Sequence, residues 1–239
     1  IQESLCPSCL PGTDIIIESL QQQLKRNDVK KLARGLLLLA DPFGDNPYGF
    51  QPELKAPEFA DLEKLVQQRY FNQAEFHLIA EVDEQGYASS RALDWREQEL
   101  FTGSHKDIAT HVDHPPYNCP PAKFEIWIFI LDAKAFTTRP VTLTEVRAWL
   151  KEFGGIHLYQ NGLRVSPYGN PGNDWLDINL LRARNPEERP STNTVIGRVL
   201  VNDEEEELVQ KTDRAGFIET EKFEQLRQFA QDSLEWLAF

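Results

Sequence analysis

Residues 142–165 have the sequence TLTEVRAWLKEFGGIHLYQNGLRV, which predicts a helix followed directly by a β-hairpin. Thr142 and Glu145 stand three residues apart, as in a capping box at a helix N-terminus. Gly154 ends the helical pattern, and Asn161-Gly162 is typical of a type I′ hairpin turn. The predicted apolar face of the helix consists of Val146, Trp149, Leu150 and Phe153.

Three strands are expected upstream of this segment. Ala74–Val82 alternates and is rich in strand-forming residues, and a turn at Gln85-Gly86 leads to a second strand near Tyr87–Leu93. Phe124–Leu131, with the sequence FEIWIFIL, has the strongest strand pattern in the chain. The intervening residues 103–122 contain many His and Pro residues, and we expect them to form a loop.

Downstream, Thr194–Val201 is predicted to be a strand, and a long helix is expected from Thr220 to about Leu237. The apolar residues at helical spacing in that helix are Phe223, Leu226, Ala230, Leu234 and Leu237. The order from residue 74 is therefore three strands, a helix, a hairpin, a strand and a helix. This order predicts an α+β fold in which one mixed sheet carries helices on one face.

The N-terminal part predicts a small, separate α/β piece. Thr13–Leu20 is expected to form a buried strand, and Asn27 to cap a helix that ends before Pro42. Asp41–Pro57 is rich in Pro, Gly and Asn, which is typical of a domain boundary, and a short helix is expected over Phe59–Gln68. We therefore divide the chain into residues 1–57 and residues 58–239.

Composition narrows the classes of function. The net charge is −13, from 38 acidic and 25 basic residues, and this disfavours binding to a nucleic-acid backbone. The longest apolar runs, Leu36–Ala40 and Ile126–Leu131, are far shorter than the ~20 residues of a membrane span. With no signal-peptide pattern, a cytoplasmic location is expected.

A zinc site is the one metal site that the spacing of ligands suggests. Cys6 and Cys9 form a CxxC pair, which is half of a structural zinc site. The other half could come from His105, His111, His114 and Cys119. Because no second CxxC pair follows at the usual spacing, we expect no bound metal, and a zinc-stabilised binding domain is a weaker alternative.

Three stretches carry a resemblance to a known superfamily: Gly154–Trp175, Ser191–Val201 and Lys211–Trp236. They resemble the C-terminal half of bacterial ATP-binding proteins of the GHKL superfamily, which includes gyrase, heat-shock chaperones and MutL. Such proteins pair a Bergerat-fold ATPase domain with a ribosomal-protein-like transducer domain. Gly12–Leu20 resembles the end of the ATPase domain. The resemblance implies that residues 1–57 end an ATPase domain and connect it to a transducer-like domain at 58–239.

The resemblance also assigns roles to two residues. In heat-shock chaperone relatives, a loop before a helix carries an Arg that reaches the ATP γ-phosphate, which implies this role for Arg214, with Lys211 as second choice. Relatives read Asn-Arg-Glu-Gly here, whereas this chain has Asp213, Arg214, Ala215 and Gly216. The alternative for Arg214 is a structural role, in which it caps its loop by hydrogen-bonding backbone carbonyls. The superfamily's ATP-binding Asn, Asp-x-Gly-x-Gly turn and Gly-rich lid do not occur in this sequence.

The implied function is that of a transducer half, which senses ATP bound next door and couples its hydrolysis to conformational change. ATP and magnesium would be bound mainly by the missing ATPase half, so this chain alone would bind neither and would be inactive. The implied partners are the N-terminal ATPase domain of the parent protein and, as a possibility, a second copy of the chain. The alternative is a non-enzymatic interaction module that keeps the fold without ATP coupling.

Three further features have two interpretations each. Gly169–Gly172 is Gly-rich, but it follows a hairpin, so its pattern is weak for a phosphate loop. Asp174-Trp175 could contact a partner domain, although an aromatic anchor for a loop is favoured. The acidic run Asp203–Glu207 could bind a metal or a partner, but a solvated loop is the favoured interpretation.

Overall fold

The computed structural model describes residues 22–39, 43, 53–62, 70–111, 113–134, 136–137, 139–184 and 189–237. These residues contain one mixed sheet of seven strands, five α-helices with both ends described and two short 3₁₀ segments, Pro57–Phe59 and Phe71–Gln73. Residues 60–62, which belong to the helix expected over 59–68, are also helical. The strands are β1 (Phe76–Val82), β2 (Ala88–Asp94), β3 (Glu99–Ser104), β4 (Ala122–Ile128), β5 (Gly155–Gln160), β6 (Leu163–Val165) and β7 (Val195–Val201). The helices are α1 (Arg26–Leu39), α2 (His105–Ile108), α3 (Leu143–Phe153), α4 (Ile178–Arg184) and α5 (Glu221–Leu237). The expected α+β class with a mixed sheet is confirmed.

The strands lie in the order β3-β2-β1-β4-β7-β5-β6. Neighbours are antiparallel except β5 and β7, which are parallel. A parallel pair needs a long crossover connection, and here β6 and α4 lie within it. In the central register, Phe124 of β4 lies opposite Ala80 of β1 and Val199 of β7. Since side chains alternate along a strand, each central strand contributes to both faces of the sheet.

The larger core lies between one face of the sheet and α4 and α5. Phe124 and Ile126 of β4 pack there with the apolar face of α5. Of the five residues expected on that face, Leu237 is partly buried. The other four are buried: Phe223, Leu226, Ala230 and Leu234. The predicted long helix is confirmed.

A second core lies on the opposite face, beneath α1 and α3. Trp149 of α3 is 1% exposed and packs in the same cluster as Ala33 and Leu38 of α1 and Ile196 of β7. Helices therefore lie on both faces, rather than on the one face that the order of elements suggested. The physical reason is that β4 and β7 carry apolar side chains on both faces, and both must be covered.

The segment from residue 142 forms the two expected elements. The Thr142 hydroxyl accepts a hydrogen bond from the Glu145 N–H at 3.2 Å, and the Glu145 carboxylate accepts one from the Thr142 N–H at 2.8 Å. The φ angles of Asn161 and Gly162 are 50° and 80°, as a type I′ turn requires. The capping box and the hairpin are thus confirmed.

Other expected elements differ from the structure. The expected loop at 103–122 begins with the end of β3 and with α2. The strand β3 was not predicted, because it is an exposed edge strand without an alternating apolar pattern. Asn27 lies in the first turn of α1 instead of capping it, and the Asp28 carboxylate accepts the Lys25 N–H at 3.0 Å there. The predicted strand at 13–20 and most of the predicted boundary at 41–57 lie outside the described residues.

No helix among the described residues has the length and apolar character of a membrane span. The division of the chain at residue 57 stays a prediction.

Candidate functional site

A β-hairpin over residues 208–218 carries the two residues to which the resemblance assigns a role. Gln210 and Phe217 form an antiparallel bridge, and the Ile218 N–H donates to the Val209 carbonyl at 2.9 Å. The Phe217 side chain is fully buried in the larger core. The stem of this hairpin, which we call the basic hairpin, is therefore fixed to the domain.

The tip of the basic hairpin is closed without help from the Arg214 side chain. The Lys211 N–H donates to the Gly216 carbonyl at 2.9 Å, and the Arg214 N–H donates to the Lys211 carbonyl at 2.8 Å. The Asp213 carboxylate accepts the Ala215 N–H at 2.9 Å. Arg214 itself has a φ of 56°, a conformation that an L-residue adopts at some cost.

The two basic side chains at the tip point to solvent. Lys211 and Arg214 are both exposed, and Arg214 makes no side-chain hydrogen bond or ion pair with any residue that the structure describes. Lys211 interacts electrostatically with the Glu219 carboxylate. A planar guanidinium held in this way can donate two parallel hydrogen bonds to an oxyanion on another domain or molecule.

Tyr168, in the loop that follows β6, anchors the basic hairpin. Its hydroxyl accepts the Phe217 N–H at 2.9 Å, and its ring centroid lies 5.0 Å from that of Trp175 and 5.6 Å from that of Phe223. Burial raises the pKa of the Tyr168 hydroxyl, so it stays neutral and can accept this hydrogen bond at physiological pH. The hairpin and the loop after β6 are thereby joined.

The same loop also contacts α1, which belongs to the predicted N-terminal piece. Arg34 of α1 donates to the Gly169 carbonyl at 3.1 Å and to the Asn170 amide oxygen at 3.0 Å. Gly169 follows Tyr168 directly. A continuous chain of contacts therefore runs from α1 through this loop to the basic hairpin.

Asp174 and Trp175 serve the packing of the domain. The Trp175 Nε1 donates to the Ile156 carbonyl at 2.9 Å, and its ring stacks on Phe223 at 6.1 Å. The Asp174 carboxylate accepts the N–H groups of Ile178 and Asn179 at 2.9 and 2.8 Å, at the start of α4. The favoured interpretation, an aromatic anchor, is confirmed.

The candidate zinc ligands among the described residues have other roles. The His105 ring accepts the Ala88 N–H at 3.0 Å through Nδ1, and its Nε2 lies 3.1 Å from the His114 carbonyl. The His114 Nδ1 lies 2.6 Å from the Ala109 carbonyl. Cys119 is buried, and burial raises the pKa of its thiol to about 12, which disfavours the thiolate that zinc requires. His111 is exposed, and Cys6 and Cys9 lie outside the described residues.

The acidic run at 203–207 is only partly the solvated loop that was expected. Asp203 is 1% exposed, and its carboxylate accepts the N–H groups of Glu207 and Leu208 and an amide N–H of Gln160. The three residues after Asp203 are exposed. Asp203 is the first residue of the acidic run, but its carboxylate stabilises the loop after β7 through these hydrogen bonds. The sequence pattern does not distinguish it from the exposed acidic residues that follow.

A buried ion pair in the middle of the sheet escaped the sequence analysis. The Glu125 carboxylate accepts Arg198 Nε and Nη2 at 2.8 and 2.6 Å, and the Lys123 Nζ at 2.9 Å. Burial raises the Glu125 pKa, but the charges of Arg198 and Lys123 outweigh it and hold this pKa below its usual value. An available signal was the single Glu within the apolar run FEIWIFIL.

Comparisons of the chain with family models, with curated proteins and with solved structures find no match. The function is therefore proposed from the geometry of the basic hairpin together with the sequence resemblance. Among the described residues, no group of three or more His, Cys, Asp or Glu side chains is placed to hold a metal ion.

Proposed function

We propose that this chain is the transducer half of a cytoplasmic GHKL-type ATPase. It senses ATP bound to a neighbouring Bergerat-fold domain and couples the hydrolysis of that ATP to conformational change. The observation that carries the proposal is the exposed Arg214, whose side chain pairs with none of the described residues, at the tip of a hairpin whose shape is maintained by other groups.

The chemistry of Arg214 suits this role. Had Arg214 been a structural residue, its guanidinium would cap the carbonyl groups of its own loop, but the backbone and Asp213 close that loop instead. Charge spreads over the γ-phosphate oxygens during transfer to water, and a guanidinium that is always protonated can bridge two of them. Lys211 adds a second positive charge on the same tip.

Supply of Arg214 from a second domain makes hydrolysis conditional on closure of the two domains. The contacts from α1 through Arg34 and Tyr168 to the basic hairpin support such coupling. A displacement of α1 by the ATP-binding domain would act on the loop that anchors the hairpin. Magnesium, adenine and the attacking water would be held by that other domain.

The second candidate is a non-enzymatic interaction module, and the edge strand β3 favours it. Leu100 and Phe101 of β3 are 47% and 42% exposed, and Trp95 in the preceding turn is 61% exposed. Exposed apolar residues along a free sheet edge are typical of surfaces that pair with another chain. In this candidate the fold is kept and ATP coupling is absent.

Calorimetry with Mg-ATP tests the proposal. The chain alone is expected to show no binding in the micromolar range, whereas a polypeptide that joins it to its ATP-binding domain is expected to bind. Micromolar binding to the chain alone would overturn the division of roles between two domains. Absence of binding to the joined polypeptide would overturn ATP coupling and favour the interaction module.

A further inference from the structure

Two arginines from distant parts of the chain converge on one neutral oxygen. Arg34 Nη1 of α1 and Arg164 Nη2 of β6 both donate to the side-chain oxygen of Asn170, at 3.0 and 2.8 Å. The remaining acceptors are also uncharged: the carbonyl groups of Glu152 and Gly169 for Arg34, and the carbonyl group of Tyr168 and the ring Nδ1 of His157 for Arg164. Within the described residues, no carboxylate accepts a hydrogen bond from either guanidinium.

The two positive charges are thus close together, and among the described residues neither is hydrogen-bonded to a carboxylate. The charge of Glu152 acts to raise the Arg34 pKa, but the Glu152 carboxylate is itself paired with Lys30. Burial lowers the pKa of both arginines, and the charge of Arg164 further lowers the pKa of Arg34. Arginine nevertheless remains protonated in proteins, so the repulsion between the guanidinium groups persists.

Arg164 also has a donor that none of the described residues accepts. Its hydrogen bonds all come from Nη2, while its Nε is buried and has no hydrogen-bond partner among the described residues. A buried donor without an acceptor destabilises the fold, and the cost is larger on a charged group. Neutral oxygens alone therefore leave this cluster incompletely satisfied.

The loop beside the two arginines packs closely on β5. A Cβ on Gly169, whose φ is +71°, would lie 2.4 Å from His157 Nδ1 and 2.6 Å from the Ile156 carbonyl oxygen. Burial first, and then the charge of Arg164, lowers the pKa of His157 to about 3, so its ring adds no charge. The ring Nε2 lies 2.9 Å from the Phe153 carbonyl, which leaves Nδ1 as an acceptor toward Arg164 at 3.4 Å.

We propose that Arg34, Arg164 and the loop at 166–170 form a binding site for a phosphate-type oxyanion. Such an anion supplies the counter-charge that no described carboxylate provides by a hydrogen bond to either guanidinium, and arginine forks match its tetrahedral oxygens. Because Arg34 lies on α1 and Arg164 on the sheet, the bound anion fastens α1 to the domain. The source is either free inorganic phosphate or a phosphoryl group of a larger ligand.

This site is distinct from the tip of the basic hairpin, so the two assignments can fail separately. Titration of the whole chain with inorganic phosphate and with pyrophosphate, followed by calorimetry at fixed ionic strength, measures binding directly. We expect one site per chain in the wild type, and at least ~10-fold weaker binding in Arg34→Gln and in Arg164→Met. Acetate in place of phosphate tests whether a planar carboxylate is accepted.

A control variant separates this site from others. Arg182→Ala removes a part-buried arginine of α4 that donates to the Arg189 carbonyl. It is expected to bind phosphate as the wild type does. Tighter binding of pyrophosphate than of phosphate would indicate a ligand that carries a diphosphate group.

Absence of phosphate binding at about 10 mM would overturn the proposal. A site whose occupation stabilises the fold must bind phosphate at that concentration. Equal affinity in the wild type and in a folded Arg34→Gln variant would also overturn it. If Arg164→Met does not fold, Arg34→Gln decides alone, since its side chain is only partly buried and Gln can still donate to the Gly169 carbonyl.

Discussion

Gly216→Ala is expected to destabilise the domain strongly by acting at the stem of the basic hairpin. Gly216 has a φ of +92°, and an added Cβ would lie 2.9 Å from Tyr168 Oη and 3.2 Å from Tyr168 Cζ. The left-handed conformation costs an alanine about 1–2 kcal/mol. The close contact adds about 1–3 kcal/mol, because Tyr168 is packed against Trp175 and Phe223 and has little room to move. The free energy of unfolding should therefore fall by about 2–5 kcal/mol.

Gly162→Ala is the matched control for this change. Gly162 has a φ of +80°, but an added Cβ would meet no atom within 4 Å, so only the conformational cost of about 1–2 kcal/mol applies. Urea denaturation of both variants gives the two free energies of unfolding. If Gly216→Ala were no more costly than Gly162→Ala, the close packing of the hairpin stem on Tyr168 would be refuted.

Three further results are expected. Glu125→Met should cost about 3–5 kcal/mol by breaking the buried ion pair with Arg198, and Glu125→Met with Arg198→Met should cost clearly less; equal costs in urea denaturation would contradict the ion pair. Burial lowers the His77 pKa to about 4 from 6.5, so unfolding takes up a proton as pH falls between these values. The wild type should therefore lose about 2–3 kcal/mol more than His77→Phe between pH 7 and pH 4.5, and a parallel loss would refute the shift. Elemental analysis should find no stoichiometric zinc; about one zinc per chain, lost in Cys6→Ser, would contradict this.

The elements set by local interactions could be predicted from the sequence. The capping box at Thr142 and Glu145 involves residues three positions apart, and the turn at Asn161-Gly162 depends on the backbone preferences of two neighbours. The apolar face of α5 follows from helical spacing alone. In each case the residues that stabilise the element are close together in the sequence, so the element can be predicted without knowledge of distant residues.

The interactions that join distant segments could not be predicted in this way. Arg34 and Asn170 are 136 positions apart, and Glu125 and Arg198 are 73 apart, so nothing local in the sequence pairs them. The edge strand β3 was missed for a related reason, since an exposed strand lacks the alternation that burial on one face imposes.

The basic hairpin lies between these two extremes. The resemblance pointed to Arg214 and Lys211, and the structure then placed both on one exposed tip. The backbone closure of that tip and its anchor on Tyr168 depend on contacts across the fold. Sequence alone therefore left a structural role for Arg214 nearly as plausible as a functional one.

ATP turnover by Arg214→Ala, in a polypeptide that joins this chain to the proposed ATP-binding domain, is the measurement that tests the role of Arg214. Arg96→Ala is the matched control, because Arg96 is also an exposed arginine in a hairpin turn, and its own N–H donates to an Asp carboxylate. We expect Arg214→Ala to lower turnover at least ~10-fold while ATP affinity changes far less, since such an arginine acts mainly on the transition state. Arg96→Ala should leave both unchanged. Unchanged turnover in a folded Arg214→Ala variant would refute the action of Arg214 on the γ-phosphate.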